Sequence, residues 1–307
     1  MLSNSLLKRF ITTGERLGSL RKRLAQPGII RAMEAHSGLS ALIIDKASAT
    51  RKGQDRRFDA MWSSSLTSST LKGKPDIEVV DITQRMSIVD DCMESCRLPV
   101  IYDGDTGGSA EIFHFTVRTL EQRGVSAAVI EDKSGLKQNS LFGTERKQQL
   151  EDIETFCEKL QRGKAAQVGD EFMIFARIEA LIAGYGLHEA LKRANAYVTK
   201  GKADGILIHS KEKKPDEIFA FCKEFRKSHP SVPIIVVPTT YNSVTEEELE
   251  AAGINICIYA NHLLRAAFPV MVDACENILQ NGRSKELDGS IMGIKDILNL
   301  IPDGAAK

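Results

Sequence analysis

Eight short apolar runs, rich in Val, Ile and Phe, alternate along the chain with longer amphipathic segments. This alternation is typical of repeated βα units that build a parallel sheet, and eight such units are the number that closes a barrel. The runs read IIRAMEAH, FDAMWSSS, LPVIYDGD, AAVIEDK, FMIFARIEA, GILIHS, PIIVVPTT and INICIYA. No linker or low-complexity tract interrupts the pattern. The sequence therefore predicts a single α/β domain over residues 1–307, a (β/α)8 TIM barrel.

Four of the amphipathic segments carry the signals of helix ends. AEIFHFTVRTLEQRG and HEALKRANAYVTKG finish in Gly124 and Gly201, which suit a left-handed helix C-cap. KPDEIFAFCKEFRKSHP and TEEELEAAG begin with acids, which complement the positive end of the helix dipole. The segment KASATRKGQDRR is polar and basic, so it is predicted to be an insertion on the surface.

Charge and cysteine content narrow the range of partners and compartments. Lys plus Arg and Asp plus Glu each total 41, so no net field attracts nucleic acid or an anionic membrane, and the predicted partner is a small molecule. No apolar run approaches the roughly 20 residues of a membrane span. The six cysteines lack the spacings of a zinc or redox site, which favours the cytoplasm. Residues 1–14 contain no acid and are expected to be a frayed extension or, alternatively, a mitochondrial presequence that directs the chain to the matrix.

Polar side chains follow every apolar run but the last. Active sites of such barrels lie at the carboxyl ends of the strands, so these side chains are the candidates for chemistry. They are Glu34, His36, Ser63, Ser64, Ser65, Asp103, Asp105, Glu131, Lys133, Arg177, Glu179, His209, Ser210, Thr239 and Thr240.

Three of these carboxylates predict a metal site. Asp103 and Asp105 are two residues apart at a strand end, which directs both side chains to one side, and Glu131 comes from the neighbouring run. An oxygen-only ligand set suits Mg²⁺, with Mn²⁺ as a possible substitute. The alternative interpretation is an Asp-Gly turn with solvated acids.

The cationic candidates predict an anionic ligand. Arg177, His209 and Lys137 are suited to phosphate or carboxylate oxygens, which accept charge-assisted hydrogen bonds. Arg177 could instead form a buried ion pair with Glu179 or Glu131, and His209 could cap a strand. The serine-rich turn MWSSSLTSS could present backbone amides to a carboxylate or could bind nothing. No P-loop, dinucleotide fingerprint or hydrolase elbow is present.

Four motifs remain to be placed: EDKSGLKQNSLFG, DGDTGG, ARIEALIAGYG and ILIHSK. Together they resemble the phosphoenolpyruvate mutase family, which belongs to the isocitrate lyase and phosphoenolpyruvate mutase superfamily, and the resemblance covers about residues 20–300. It implies a (β/α)8 barrel whose last helix, within the C-terminal helices from about residue 261, is swapped between subunits. It also implies a homotetramer built as a dimer of dimers.

The resemblance implies the Mg²⁺-dependent interconversion of phosphoenolpyruvate and phosphonopyruvate, the step that forms the carbon–phosphorus bond in phosphonate biosynthesis. By the same resemblance, Asp103 is the direct metal ligand, and Asp105 and Glu131 act through water. A gating loop from Ser134 to Phe142, with hinges at Gly135 and Gly143, carries other functional residues. The implied catalytic residues are Asp76, Lys137, Asn139, Arg177 and His209, and the implied substrate-binding residues are Trp62, Ser64, Ser65, Leu66, Asn139, Ser140, Arg177 and His209.

Two positions leave details of this resemblance open. Asp76 matches the family's essential aspartate, which is either a nucleophile or an orienting group. Many relatives have glycine where Ser65 stands, which puts the conformation of that turn in doubt.

Related activities remain as alternatives. Phosphonopyruvate hydrolases resemble this pattern but have a different residue where Asn139 stands. Isocitrate and methylisocitrate lyases resemble it with a Lys-Lys-Cys-Gly-His loop, whereas this chain has LKQNS without cysteine. The remaining hypotheses are an oxaloacetate-type lyase and a non-catalytic barrel.

Overall fold

Eight parallel strands close into a barrel in the computed structural model, which describes residues 11–135, 137–140 and 148–301. The barrel strands are β1 (Ile30–Glu34), β4 (Ala60–Ser63), β5 (Val100–Asp103), β6 (Ala127–Glu131), β7 (Met173–Ile178), β8 (Gly205–Ile208), β9 (Ile234–Val236) and β10 (Ile256–Tyr259), and the described residues hold two more strands outside it, β2 (Ser48–Arg51) and β3 (Gln54–Arg57). The barrel follows chain order from β4 to β10 and closes through β1, which pairs with both β10 and β4. All eight predicted runs are barrel strands, so the predicted fold is confirmed. Strands β2 and β3 form a separate exposed hairpin at the predicted surface insertion.

Helices surround the barrel between its strands. They are α1 (Thr13–Leu24), α2 (Gly38–Lys46), α3 (Ser65–Leu71), α4 (Ile82–Ser95), α5 (Ala110–Arg123), α6 (Ile153–Ala166), α7 (Gly186–Thr199), α8 (Asp216–Ser228), α9 (Glu246–Ala251), α10 (His262–Asn281) and α11 (Ile294–Leu298), with a 3₁₀ turn at Lys285–Leu287. None of these described helices is long and apolar enough to cross a membrane. Helix α1 begins inside the stretch 1–14 that the sequence assigns to an extension, because Thr12 and Glu15 form a capping box. Residues 1–10 lie outside the described part of the chain.

One of the two predicted left-handed caps is confirmed and the other is wrong. Gly124 ends α5 with a φ of 82°. After α7 the left-handed residue is Lys202, with a φ of 61°, and Gly201 does not adopt a positive φ. A Cβ on Gly201 would lie 2.7 Å from the carbonyl oxygen of Tyr197, so close packing explains this glycine.

Alternation along the strands divides the apolar side chains between two cores. On β6, Ala127 and Val129 lie in the core inside the barrel, whereas Ala128 and Ile130 lie in the larger core between barrel and helices. Successive side chains of a strand point to opposite faces, so the residue two positions after an inward residue also faces inward. The alternation therefore directs Glu131 into the barrel at its carboxyl end.

Helix α10 follows the eighth barrel strand but does not cover the barrel of its own chain. None of its 20 residues is buried, although it carries Phe268 and Leu279, which are 63% and 82% exposed. An apolar groove lies between the β2–β3 hairpin and the outer side of β1 and β10, where Met33, Phe58 and Tyr259 line it. The single chain thus leaves both a helix face and a groove uncovered.

Candidate active site

The ends of the barrel strands surround one pocket. Ile101, Phe175 and Leu207 belong to the core inside the barrel, and the residue two positions after each of them is polar. Alternation therefore directs Asp103, Arg177 and His209 to this end of the barrel. The pocket is lined by Trp62, Ser64, Ser65, Leu66, Asp76, Asp103, Lys137, Asn139, Ser140, Arg177, His209, Val237, Thr239, Ala260 and Asn261. All predicted catalytic and substrate-binding residues line it, whereas the predicted metal residues Asp105 and Glu131 do not.

Asp103 is held at the floor of the pocket by the first turn of α3. Its Oδ2 accepts hydrogen bonds from the Ser65 amide at 3.1 Å and from the Ser65 hydroxyl at 2.8 Å. Burial alone would raise the pKa of Asp103, but the charges of Lys137, Arg177 and Arg85 lower it below its ordinary value. Asp103 is therefore an anion at neutral pH. The Ser65 amide was predicted to bind the substrate carboxylate. Because it already donates to Asp103, a substrate carboxylate would have to compete with Asp103 for it.

Asp105 occupies a strained turn position that its neighbours stabilise. Its φ is 54°, which is uncommon for a residue other than glycine. The Arg85 guanidinium donates to its Oδ2 at 3.1 Å, and the Lys137 ammonium donates to its Oδ1. Arg85 is 3% exposed and lies on α4, so the turn is tied to the helix layer. A charged residue on the buried face of an amphipathic helix could have indicated a role for Arg85, but the strand-end prediction considers only residues that follow strands.

Lys137 joins the predicted loop to three barrel segments. Besides Asp105, its ammonium donates to Ser65 Oγ at 2.6 Å and to Asp76 Oδ1 at 2.8 Å. Burial alone would lower the pKa of Lys137, but Asp105 and the other nearby acids raise it above its ordinary value. The Asn139 amide donates to Asp76 Oδ2 at 3.0 Å. Both oxygens of Asp76 therefore face residues of the segment 137–140.

Arg177 forms the ion pairs that its alternative interpretation predicts, and it also lines the pocket. Its Nε donates to Glu179 Oε1 at 2.6 Å, and its NH1 lies 3.4 Å from Glu131 Oε2. Its NH2 donates to the Ser140 hydroxyl at 2.7 Å and lies 3.4 Å from His209 Nδ1. The carboxylates fix the plane of the guanidinium while it faces the pocket.

His209 is a neutral imidazole beside this guanidinium. Burial lowers its pKa below the ordinary value, and the positive charge of Arg177 acts in the same direction against the opposing effect of Glu179. Its Nδ1 lies 3.7 Å from Glu179 Oε1. A neutral ring can offer one nitrogen to a ligand as a hydrogen-bond donor or acceptor.

The chemistry of Glu131 fits a bound cation. The residue is 1% exposed, and among the described residues neither carboxylate oxygen accepts a hydrogen bond, although Lys133 and Arg177 lie 3.5 and 3.4 Å from them. Burial raises its pKa to about 7, although Lys133 and Arg177 oppose this rise. A buried carboxylate without hydrogen bonds is costly unless a charge or a ligand compensates it.

The three predicted metal residues do not meet as a preformed cluster. Within residues 11–135, 137–140 and 148–301, no three His, Cys, Asp or Glu side chains are arranged to hold a metal. Asp105 instead accepts from the Lys137 ammonium. Only Asp103 faces the pocket directly, which suits one direct ligand with Asp105 and Glu131 acting through water. Those roles stay predictions.

The strand-end prediction missed one pocket residue, Asn261, and selected Glu34, which does not line the pocket. Asn261 lines the pocket, but the predicted run ended one residue before it. Glu34 was singled out at a strand end, and its role is structural. It is fully buried, and its Oε2 accepts from the amides of Leu263 and Leu264 at 3.0 and 3.3 Å, which caps α10. Of the predicted gating loop, Leu136, Leu141, Phe142 and the hinge Gly143 lie outside the described residues.

Comparisons with known proteins agree with this geometry. A family model described as phosphoenolpyruvate phosphomutase matches residues 20–279. A phosphoenolpyruvate phosphomutase of Tetrahymena pyriformis is 35% identical over 301 residues, which cover 98% of this chain and 95% of that protein. The crystal structure of a phosphoenolpyruvate phosphomutase from Streptomyces platensis subsp. rosaceus superposes with a TM-score of 0.84 at 36% identity, covering 92% of this chain and 93% of that one. A phosphonopyruvate hydrolase solved with oxalate and Mg²⁺ superposes with a TM-score of 0.81 at 33% identity, covering 94% and 95%.

Proposed function

The chain belongs to the phosphoenolpyruvate phosphomutase family, and we propose that it interconverts phosphoenolpyruvate and 3-phosphonopyruvate. It is then an isomerase that moves a phosphoryl group between the enolate oxygen and carbon C3 of one molecule. The proposed role is formation of the carbon–phosphorus bond in phosphonate biosynthesis.

The observation that carries this proposal is the position of Asn139. Its amide donates to Asp76 Oδ2 at 3.0 Å and lines the same pocket as Arg177 and His209. Asparagine is the residue that the mutase pattern has at this loop position, whereas the hydrolase pattern has another. The acid and the loop amide thus meet where a phosphoryl group would transfer.

One set of pocket residues would bind the phosphoryl group of the substrate, and another set would bind its carboxylate. Arg177, His209 and Asn139 would hold the phosphoryl group, which passes through a loose transition state that asks mainly for positioning and charge stabilisation. The substrate carboxylate would lie at the start of α3, where Ser65 and Leu66 are the first two residues. First-turn amides of a helix have no acceptor within the helix, so they suit an anion; because the Ser65 amide already donates to Asp103, the Leu66 amide would be the main contact.

Asp76 would orient the loop residues during transfer. Both of its oxygens accept hydrogen bonds, from Lys137 and from Asn139. A carboxylate engaged at both oxygens is less available as a nucleophile, and this geometry supports the orienting role.

The proposed cofactor is Mg²⁺, held directly by Asp103 and through water by Asp105 and Glu131, with Mn²⁺ as a substitute. The Glu131 carboxylate, which accepts no hydrogen bond among the described residues, and the anionic state of Asp103 support this assignment. When bound, the ion would supply positive charge against the negative charge that develops on the enolate oxygen.

The second candidate is phosphonopyruvate hydrolase, because a structure of such an enzyme superposes almost as well. The experiment is ³¹P NMR of the purified protein with phosphonopyruvate, with and without Mg²⁺. Growth of a phosphoenolpyruvate ester signal is the expected result. Direct appearance of inorganic phosphate without the ester would assign the hydrolase activity instead.

We also propose a helix-swapped homotetramer, a dimer of dimers. The support is the uncovered apolar face of α10 and the apolar groove beside β1 and β10, which together suit the exchange of α10 between two chains. Light scattering after size exclusion is expected to give four chains, and Phe268→Asp is expected to reduce that number. A wild-type monomer would contradict the proposal. All six cysteines are free thiols and five are buried, which supports the cytoplasm as the proposed compartment.

A further inference from the structure

Lys133 is a buried cation whose ammonium, among the described residues, contacts the loop segment 137–140 and the acids Glu131 and Glu179. It is 3% exposed and lies two residues after Glu131, beyond the end of β6. Its ammonium donates to the Gln138 carbonyl at 2.8 Å and to the Ser140 hydroxyl at 2.7 Å. One side chain of the barrel thus holds both a backbone oxygen and a side chain of the segment.

Glu179 completes this contact from the next strand. It is fully buried, and its Oε2 lies 3.1 Å from Lys133 Nζ and accepts from Ser140 Oγ at 2.6 Å. Its other oxygen accepts from Arg177 at 2.6 Å. The backbone amide of Glu179 donates to Asp132 Oδ1 at 2.9 Å, which fixes the acid in place. Charged hydrogen bonds in a buried site are stronger than neutral ones.

Neither Lys133 nor Glu179 lines the pocket, whereas Lys137, Asn139 and Ser140 do. The two residues therefore cannot act by touching the substrate. Both hold the segment that carries the side chain of Asn139, which meets Asp76. Lys133 also lies 3.5 Å from Glu131, and Glu179 also accepts from Arg177, so the segment is one of two routes by which they reach the pocket.

We infer that Lys133, with Glu179 as its counter-ion, is a positioning residue that holds the segment 137–140 over the pocket. This inference rests on the proposed function for its chemical consequence. While the segment is held, the phosphoryl group released by cleavage of the P–C bond is recaptured by the enolate oxygen, and phosphoenolpyruvate forms. When the segment is not held, water enters, its oxygen bonds to phosphorus, and the protons it loses are shared between phosphate and carbon C3, which gives pyruvate and inorganic phosphate.

The first test measures the position of the segment without any turnover. Hydrogen exchange of peptides that contain residues 137–140 is compared among the wild-type protein, Lys133→Met and the control Lys159→Met. Lys159 is equally buried and donates to the Thr106 carbonyl and to Glu151, away from the segment. Exchange in these peptides is expected to rise at least about tenfold in Lys133→Met only. Equal rates in Lys133→Met and the wild-type protein would overturn the inference.

The second test measures the chemical consequence by ³¹P NMR with phosphonopyruvate. The ratio of inorganic phosphate to phosphoenolpyruvate is expected to rise about tenfold in Lys133→Met, which corresponds to about 1.4 kcal/mol. Lys159→Met is expected to keep the wild-type ratio, because a ratio of products does not depend on the fraction of folded enzyme. An unchanged ratio in Lys133→Met would refute the chemical part.

Two features keep these tests decisive. If Lys133→Met does not fold, Lys133→Gln removes the charge with a polar side chain and is measured in its place. If the wild-type enzyme itself makes only phosphate, the proposed mutase function fails, and hydrogen exchange still decides whether Lys133 holds the segment.

Discussion

Two regions of this barrel carry dense networks of ion pairs, and they differ in burial. Behind the ends of β6 and β7, Asp132 is fully buried and accepts from Arg193 at 3.0 Å and from the Tyr197 hydroxyl at 2.6 Å. On the outside, Glu247 of α9 accepts from Arg51 and Arg56 of the β2–β3 hairpin at 2.9 and 3.0 Å. The donor–acceptor distances are similar, but Asp132 is shielded from solvent, whereas the Glu247 side chain is 36% exposed.

Burial decides what each network can do. Exposed pairs are screened by water and contribute little to stability, whereas a buried charge that loses its partner is strongly destabilising. Asp132 also accepts from the amide of Glu179, which in turn binds Arg177 and Ser140. The buried network therefore connects Arg193 of α7 to Arg177 in the pocket. The Glu247 network of the hairpin does not extend to the pocket.

The largest expected effect lies on the pocket side of the buried region. Asp76→Ala removes one acceptor from Lys137 and one from Asn139 and deletes the acid at the transfer position, so kcat is expected to fall at least about ten-thousandfold, or about 5.4 kcal/mol. Circular dichroism should match the wild-type spectrum, since Asp76 lies at the rim. Normal turnover in a well-folded variant would show that the acid is not catalytic.

The next effect lies on the helix side. Asp132→Ala removes the fully buried acceptor of Arg193, which among the described residues keeps only Glu189 at 2.9 Å as an ion-pair partner, so the free energy of unfolding is expected to fall by about 3 kcal/mol. Urea denaturation followed by fluorescence of Trp62 measures it. A loss no greater than that of an exposed pair would break the distinction between the two regions.

A smaller effect is expected for Asn139→Ala, which removes a loop contact that acts mainly in the transition state. We expect kcat to fall about a hundredfold while KM changes by less than about threefold. Steady-state kinetics in both directions separates the two constants. Weaker binding with unchanged turnover would contradict the proposed role of the loop.

The smallest effect is expected in the hairpin network. Glu247→Ala removes the acceptor of Arg51 and Arg56, yet the urea midpoint and kcat are expected to stay within experimental error, because solvent replaces the lost contacts. The variant is the matched control for Asp132→Ala. A comparable loss in both would mean that burial is not what separates the regions.

Much of the site could be predicted from the chain because barrel geometry converts local pattern into position. Asp103, Arg177 and His209 each lie two residues after an inward apolar residue, so their direction follows from strand alternation alone. The gathering of these residues at one rim follows from the parallel barrel. The motifs that resemble the family added roles that alternation does not supply.

What alternation could not predict are contacts between distant segments. Asp76 lies 61 residues before Lys137 and outside every strand, and Arg85 reaches Asp105 from a helix. The left-handed position after α7 was missed for a related reason, because the packing of Gly201 against Tyr197 overrides the local glycine preference.

By itself, the sequence determined the eightfold strand pattern, the inward direction of the rim residues and the family to which the motifs belong. Only the tertiary structure decided which charges meet: that Lys137 joins Asp76 to Asp105, and that Lys133 and Glu179 hold the segment 137–140. The physical reason is the sequence separation over which each kind of interaction acts. Periodicity and caps depend on neighbours within a few residues, whereas a buried ion pair depends on how whole elements pack, and no local pattern encodes that distance.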